Sequence, residues 1–304
     1  MSLLVVGSVA LDSVETPQDR RDDVLGGSAS FFSAVATLIR PVRLVAVVGQ
    51  DFPEEHITFL RERGVDLSGL QRAEGRTFRW KGRYLPDMVG RETLETQLNV
   101  FESFDPKLSP GYRDSEFVFL ANIHPVLQLS VLDQVAKPAL VACDTMNLWI
   151  NEERATLEQV LARVDILLIN DEEAQLLTGH RNLLKAAALV RKMGPGRLVI
   201  KRGDAGALLF DEGGVFWAPA FPIESVVDPT GAGDSFAGGM VSYLAHTREQ
   251  TPSALRRAMV YGSVIGSFCV EDFSLDRFRT LTKDEVLVRC RALGDLVRFE
   301  EVTL

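Results

Sequence analysis

Short apolar runs alternate with helical patterns along most of the chain, and this alternation restricts the fold more than any other feature. Residues 3–6, 44–48, 117–120, 140–143, 166–169, 198–201 and 207–210 are nearly continuous in apolar side chains. Strands covered on both faces read this way. Helical spacing predicts helices over residues 29–39, 54–63, 126–135, 152–162, 183–193 and 235–245. Together they predict an α/β fold: a parallel sheet with helices on both sides, whose ligands bind beyond the carboxyl ends of the strands.

Two stretches break the rhythm. Residues 13–25 are polar and charged, with the run DRRDD, and residues 75–101 have no helical period. The second contains RTFRWKGRY, which alternates strictly. Phe78, Trp80 and Tyr84 fall on one face, and Arg79, Lys81 and Arg83 on the other. Such a ribbon predicts a small antiparallel flap. It is either a lid that excludes water from a site or an edge hairpin with a solvated basic face.

Bulk properties narrow the function. The chain has 304 residues, enough for one large domain or a domain with a subdomain. A net charge of −9 and a pI near 5.1 argue against nucleic acid or an anionic membrane as the main partner. Cys143, Cys269 and Cys290 are far apart and form no CxxC pair, which points to neither a disulfide framework nor a thiolate zinc site. The opening MSLLVVGSVALD lacks a basic lead and reads as a first strand. No apolar run nears the ~20 residues of a membrane span. The expectation is a soluble, cytoplasmic protein of a reducing compartment.

The chemistry concentrates in DPTGAGDSFAGG, Asp228 to Gly239. Pro229 ends any ladder, and Phe236, Met240, Tyr243 and Leu244 have helical spacing, so a helix begins near Gly233. The first amides of a helix lack internal partners and sit at the positive end of its dipole. Small residues at Gly231, Ala232 and Gly233 let a phosphate approach them. Asp234 is out of place in an anion cradle unless it does chemistry. It reads either as a first-turn cap or as the base that takes a proton from an alcohol during phosphoryl transfer.

This string closely resembles the second signature of the ribokinase-like carbohydrate kinases, the PfkB family, and the resemblance extends over nearly the whole chain. It implies a three-layer sandwich with a mainly parallel central sheet and a small β lid. The body would comprise residues 1–12, 26–74 and 102–304, and the lid residues 13–25 and 75–101. It makes Asp234 the catalytic base and Gly231, Ala232 and Gly233 the anion hole, with Thr230 beside the nucleotide. GSVALD resembles the family's first strand, whose terminal aspartate, here Asp12, binds substrate hydroxyls. Gly26-Gly27 resembles the hinge diglycine of the first signature, with Ser28 and Phe31 following on the substrate side. Asn170-Asp171-Glu172-Glu173 fits the family's Asn-x-x-Glu motif, in which Asn170 and Glu173 organise Mg2+ through its waters; spacing alone favours a capped helix start with acids in its first turn. Lys201, Gly203 and Gly206 in KRGDAG match the nucleotide loop.

The match departs in two places. Where the first signature carries an asparagine, this chain has Phe31, which cannot make an amide's hydrogen bonds. Residues 262–273 lack the small-residue loop that binds monovalent cations in many ribokinases. The sequence therefore predicts an ATP- and Mg2+-dependent kinase acting on a hydroxyl of a small sugar or polyol. A nucleoside kinase, a sugar-phosphate kinase and a silent metabolite sensor are the alternatives. The lid's aromatic face would also serve a homodimer. GSVALD lacks the GxGxxG of a nicotinamide dehydrogenase, and the chain holds no GxxxxGK[ST].

Overall fold

In the computed structural model, which describes residues 2–301, the alternation becomes a nine-stranded sheet. From edge to edge its strands are Gly214–Ala218, Ala207–Asp211, Arg197–Lys201, Ile166–Asn170, Leu140–Asp144, Phe117–Leu120, Leu3–Val6, Val42–Val48 and Val65–Arg72. Only Ala207–Asp211 runs against the rest: it pairs antiparallel with both Arg197–Lys201 and Gly214–Ala218, and every other neighbouring pair is parallel. Both faces are buried, and the apolar continuity of the strands follows from that. Leu3 and Val5 join the core under the helices Ser28–Ala36, Ala232–Thr247 and Pro252–Cys269. Leu4 and Val6 join the core under Pro125–Gln134, Arg154–Leu161 and Asp171–Thr178.

The glycines at the end of DPTGAGDSFAGG serve packing. A Cβ on Gly238 would lie 2.6 Å from the carbonyl oxygen of Phe32, and one on Gly239 would lie 3.1 Å from Cα of Gly262. Two helices thus press against the first turns of Ala232–Thr247, holding its amino end rigidly at the carboxyl edge of the sheet.

The lid is a second sheet of four strands in the order Arg20–Gly26, Ala10–Glu15, Arg79–Tyr84, Arg91–Gln97. Its middle pair is parallel and its outer pairs antiparallel. The first body strand stops at Val6, so Asp12 belongs to the lid strand Ala10–Glu15 rather than to the end of that body strand. Gly7 marks the break: a side chain there would meet the Ala121 methyl at 2.7 Å. The helix expected over 152–162 is two helices, Asn147–Glu152 and Arg154–Leu161, separated at the non-helical Glu153. The strand Val65–Arg72 has no counterpart in the sequence reading; its exposed, polar outer half hides the period. Among the described residues no helix is long and apolar enough to cross a membrane.

Candidate active site

The phosphate cradle forms where Gly231 turns the chain into Ala232–Thr247. Gly231 is left-handed (φ 77°, ψ 0°), and no side chain caps this helix end. The amides of Gly233 and Asp234 in its first turn therefore face an anion without a side-chain competitor, while that of Ala232 donates to Pro229 O at 3.2 Å. Phe31 lies beneath: a Cβ on Gly231 would be 2.3 Å from its ring, and Phe31 is only 2% exposed. The ring expected on the substrate side is thus the floor of the cradle. The loop before it is fixed by the fully buried Asp228, which accepts from the amides of Thr230 (2.9 Å) and Ser274 (3.1 Å).

Asp234 follows the cradle in the first helical turn. Burial pushes its carboxyl up to about 7; the charge of Asp144 adds to this, while Lys201 and Arg91 oppose it. A carboxylate with that acidity is matched to proton abstraction near neutral pH. Lys201 reaches the same place, its Nζ 3.1 Å from where a Gly233 Cβ would stand. Nζ also donates to Asp144 Oδ2 at 3.0 Å, and Asp144 Oδ1 accepts from the Thr145 amide at 2.8 Å. The ammonium thus faces both the cradle and a buried carboxylate, whose charge raises its pKa against the effect of burial.

On the next strand end, Asn170 and Glu173 form a reciprocal capping box. Asn170 Oδ1 accepts from the Glu173 amide, and Glu173 Oε2 accepts from the Asn170 amide, both at 2.7 Å. Burial raises the pKa of Glu173, and the charge of Asp144 adds to it. Among the described residues no three His, Cys, Asp or Glu side chains gather to hold a metal. The donors fit a hydrated ion carried in with phosphates: the box occupies Oε2 of Glu173 and leaves Oε1 outside it. Gly203 and Gly206 form a short turn beyond Lys201, both with positive φ, in which the Arg202 amide donates to Gly206 O at 2.8 Å.

The acceptor side is built by the lid. Asp12 is 6% exposed, and burial pushes its carboxyl up to about 7, against a hydrogen bond from the Gly27 amide. Gly26 lies against it, so close that a Cβ would overlap the carboxylate at 2.0 Å. Ser28 donates its amide to Ser8 Oγ at 3.0 Å and helps fix the hinge. Gly26→Ala is expected to displace Asp12 and raise the acceptor KM about tenfold with the ATP KM unchanged, the loss of a hydrogen bond to a charged group being worth ~1.5 kcal/mol or more. Steady-state kinetics with each substrate varied checks this.

The face of the ribbon that points inward is now determined. Tyr84 hydroxyl bonds Thr230 Oγ1 at 3.1 Å, and Trp80 aligns with Asp12 in the parallel pair. The basic residues face the other way, and both arginines among them are paired: Arg79 with Asp23 and Asp51, and Arg83 with Glu15. A second copy meeting the lid from outside would therefore meet charges, not rings. Asp144, Tyr84 and Arg91 are absent from the sequence-derived site. Asp144 carried a usable signal, since LVACD ends a buried parallel strand in an acid, as ILLIN and RLVIK end in polar groups.

Known proteins share this architecture. A match to the pfkB family carbohydrate kinases spans residues 3–277. The cytidine kinase of Thermococcus kodakarensis is 33% identical over 250 residues, 80% of this chain and 88% of that protein. The nucleoside kinase of Burkholderia thailandensis, solved with inosine, superposes with a TM-score of 0.82 at 19% identity, covering 97% of this chain and 99% of that one. Arabidopsis thaliana ribokinase, solved with ribose and ATP, superposes with a TM-score of 0.76 at 20% identity, covering 95% and 98%. The fold is ribokinase-like, and the chain belongs to the PfkB family of carbohydrate kinases. It is an ATP-dependent phosphotransferase.

Proposed function

We propose that the protein is a cytoplasmic kinase that transfers the γ-phosphate of ATP to a hydroxyl of a nucleoside. The observation that carries this reading is the inner face of the lid, where the carboxylate residue Asp12 stands in register with Trp80, whose indole lies over Gly82 on the same face. A carboxylate suits a ribose diol, and a neighbouring aromatic plate suits the flat base attached to it. The cytidine kinase relative supports the same acceptor class. So does Phe31: the asparagine expected of sugar-reading members is replaced by a buried ring. The nucleoside, an alternative in the sequence reading, takes the place of the sugar or polyol expected first. The outward direction of the basic face, with Arg79 and Arg83 held in ion pairs, speaks against a phosphorylated acceptor.

ATP supplies the phosphoryl group, and Mg2+ neutralises charge on its phosphates. Asn170 and Glu173 would hold the hydrated ion, and Lys201, Thr230 and the turn at Gly203 and Gly206 would hold the nucleotide. Asp12 orients the acceptor hydroxyl, Asp234 takes its proton, and the amides at Gly231–Gly233 receive the negative charge. ADP formation measured across nucleosides, free pentoses and hexoses, polyols and sugar phosphates checks the acceptor. Nucleosides are expected to give kcat/KM at least tenfold above any free sugar or polyol. A free sugar or polyol as the best acceptor would replace the nucleoside reading, and silence with every acceptor would favour a non-catalytic sensor.

A further inference from the structure

The segment that follows helix Pro252–Cys269 touches both halves of the site without belonging to either. Its Ser274 is buried and left-handed, with φ 55°. Residues other than glycine rarely take that conformation, and one held there inside a protein is fixed by its surroundings. The surroundings of Ser274 are specific. Its amide donates to Asp228 Oδ2 at 3.1 Å, while Asp228 Oδ1 accepts from the amide of Thr230, one residue before Gly231. Its hydroxyl donates to the carbonyl oxygen of Leu25, the residue before the Gly26 that lies against Asp12. The flanking residues repeat this division. Phe273 packs with Val14 and Tyr84 of the lid, and Val270 O accepts from the Val227 amide at 2.8 Å in the loop leading to the cradle.

We propose that Ser274 is a positioning residue for phosphoryl transfer, a strut whose two donors fix the separation between the carboxylate of Asp12 and the cradle at Gly231. This rests on the assignment of Asp12 to the acceptor. From the acceptor side the connection runs through Asp12, Gly26, the Leu25 carbonyl and the Ser274 hydroxyl. From the phosphate side it runs through Gly231, the Thr230 amide, the Asp228 carboxylate and the Ser274 amide. Transfer needs the acceptor oxygen ~3–3.5 Å from phosphorus and in line with the leaving oxygen, and an error of 1 Å costs ~100-fold. Asp12 lies in the lid sheet and the cradle beside the body sheet. Hydrogen bonds within either sheet cannot set the distance between them. Ser274 sets it from a third element, and its left-handed backbone is what turns the amide toward the body while the hydroxyl meets the lid.

Ser274→Gly and Ser274→Ala separate positioning from stability, since both remove the hydroxyl but only glycine adopts φ 55° freely. Ser274→Gly should therefore melt above Ser274→Ala. Positioning predicts that the two lose activity alike. With cytidine as acceptor, or whichever compound of the screen above turns over fastest, kcat/KM for the acceptor should fall about tenfold in each. The Kd of MgADP, measured by calorimetry, should stay within about twofold of wild type. Phosphorus NMR should also find a larger share of the transferred phosphoryl as inorganic phosphate, because water competes better with a misplaced acceptor. A purely structural role would make activity follow melting temperature, with Ser274→Gly near wild type. That result, or a Kd of MgADP raised as much as the acceptor KM, would overturn the proposal. Asp12→Asn, assayed alongside, keeps it apart from the acceptor reading. Loss in Asp12→Asn with wild-type kinetics in both Ser274 variants overturns the strut alone. A wild-type acceptor KM in Asp12→Asn overturns the assignment of Asp12, and the strut with it.

Discussion

Asp234→Asn is expected to lower kcat by ~100-fold or more, because a positioned general base contributes at least that much. The amide keeps the shape of the carboxylate but cannot take the acceptor proton. Binding should move the other way. Asp234 shares the site with Asp144 and Asp12, and only Lys201 and Arg91 oppose them; removing one negative charge eases the approach of ATP, so its Kd stays level or falls. Stability gives an independent sign. Asp234 has an ordinary value of 3.8 and rises to about 7 in the folded protein. Between these values the native state holds a proton that the unfolded chain has lost, so native stability falls as pH rises through that window. Asp234→Asn should therefore melt above wild type at pH 8 and show no such gain near pH 4. In wild type, kcat/KM should climb with pH through about 7 as the base ionises. A variant within about tenfold of wild-type kcat would contradict general-base work by Asp234.

Gly231→Ala should produce the second large effect. The position has φ 77°, where an L side chain costs ~1–2 kcal/mol. The new methyl would also stand 2.3 Å from the Phe31 ring, which is enclosed and cannot swing away. The cradle must shift, and its amides leave the positions where charge develops. Loss of one such donor costs ~10^2–10^3 in kcat. Melting should fall by several degrees with the overall fold kept. A Gly231→Ala protein with wild-type kcat would mean that these amides do not receive the transferring phosphoryl.

The sequence made the body of the fold legible because strands buried on both faces have little choice of residue. Leu3–Val6 and Phe117–Leu120 could be read off to the residue for that reason. The edge strand Val65–Arg72 and the lid strands were less legible, since exposure on one side admits polar residues and blurs the period. The site divided along the same line. Asp234 and Gly231 were legible because an acid among phosphate-cradling glycines conflicts with the bland reading. Asn170 and Glu173 were legible only as a pair with two meanings, and the capping box they form leaves room for the second. For Phe31 the spacing from Gly27 does not reveal which way a helix turns its ring; the close contact with Gly231 does. Tyr84 and Arg91 were illegible as site residues because strand alternation separates two faces without saying which is inside. That is decided by the bond from Tyr84 to Thr230, 146 residues away in sequence.

Phosphorus NMR on wild-type protein with MgATP and a nucleoside tests the central claim most directly. The account predicts a new phosphomonoester resonance that grows in step with ADP, one for one, and disappears with Asp234→Asn. ADP accompanied by inorganic phosphate alone, or an ester signal that survives Asp234→Asn at full rate, would contradict it.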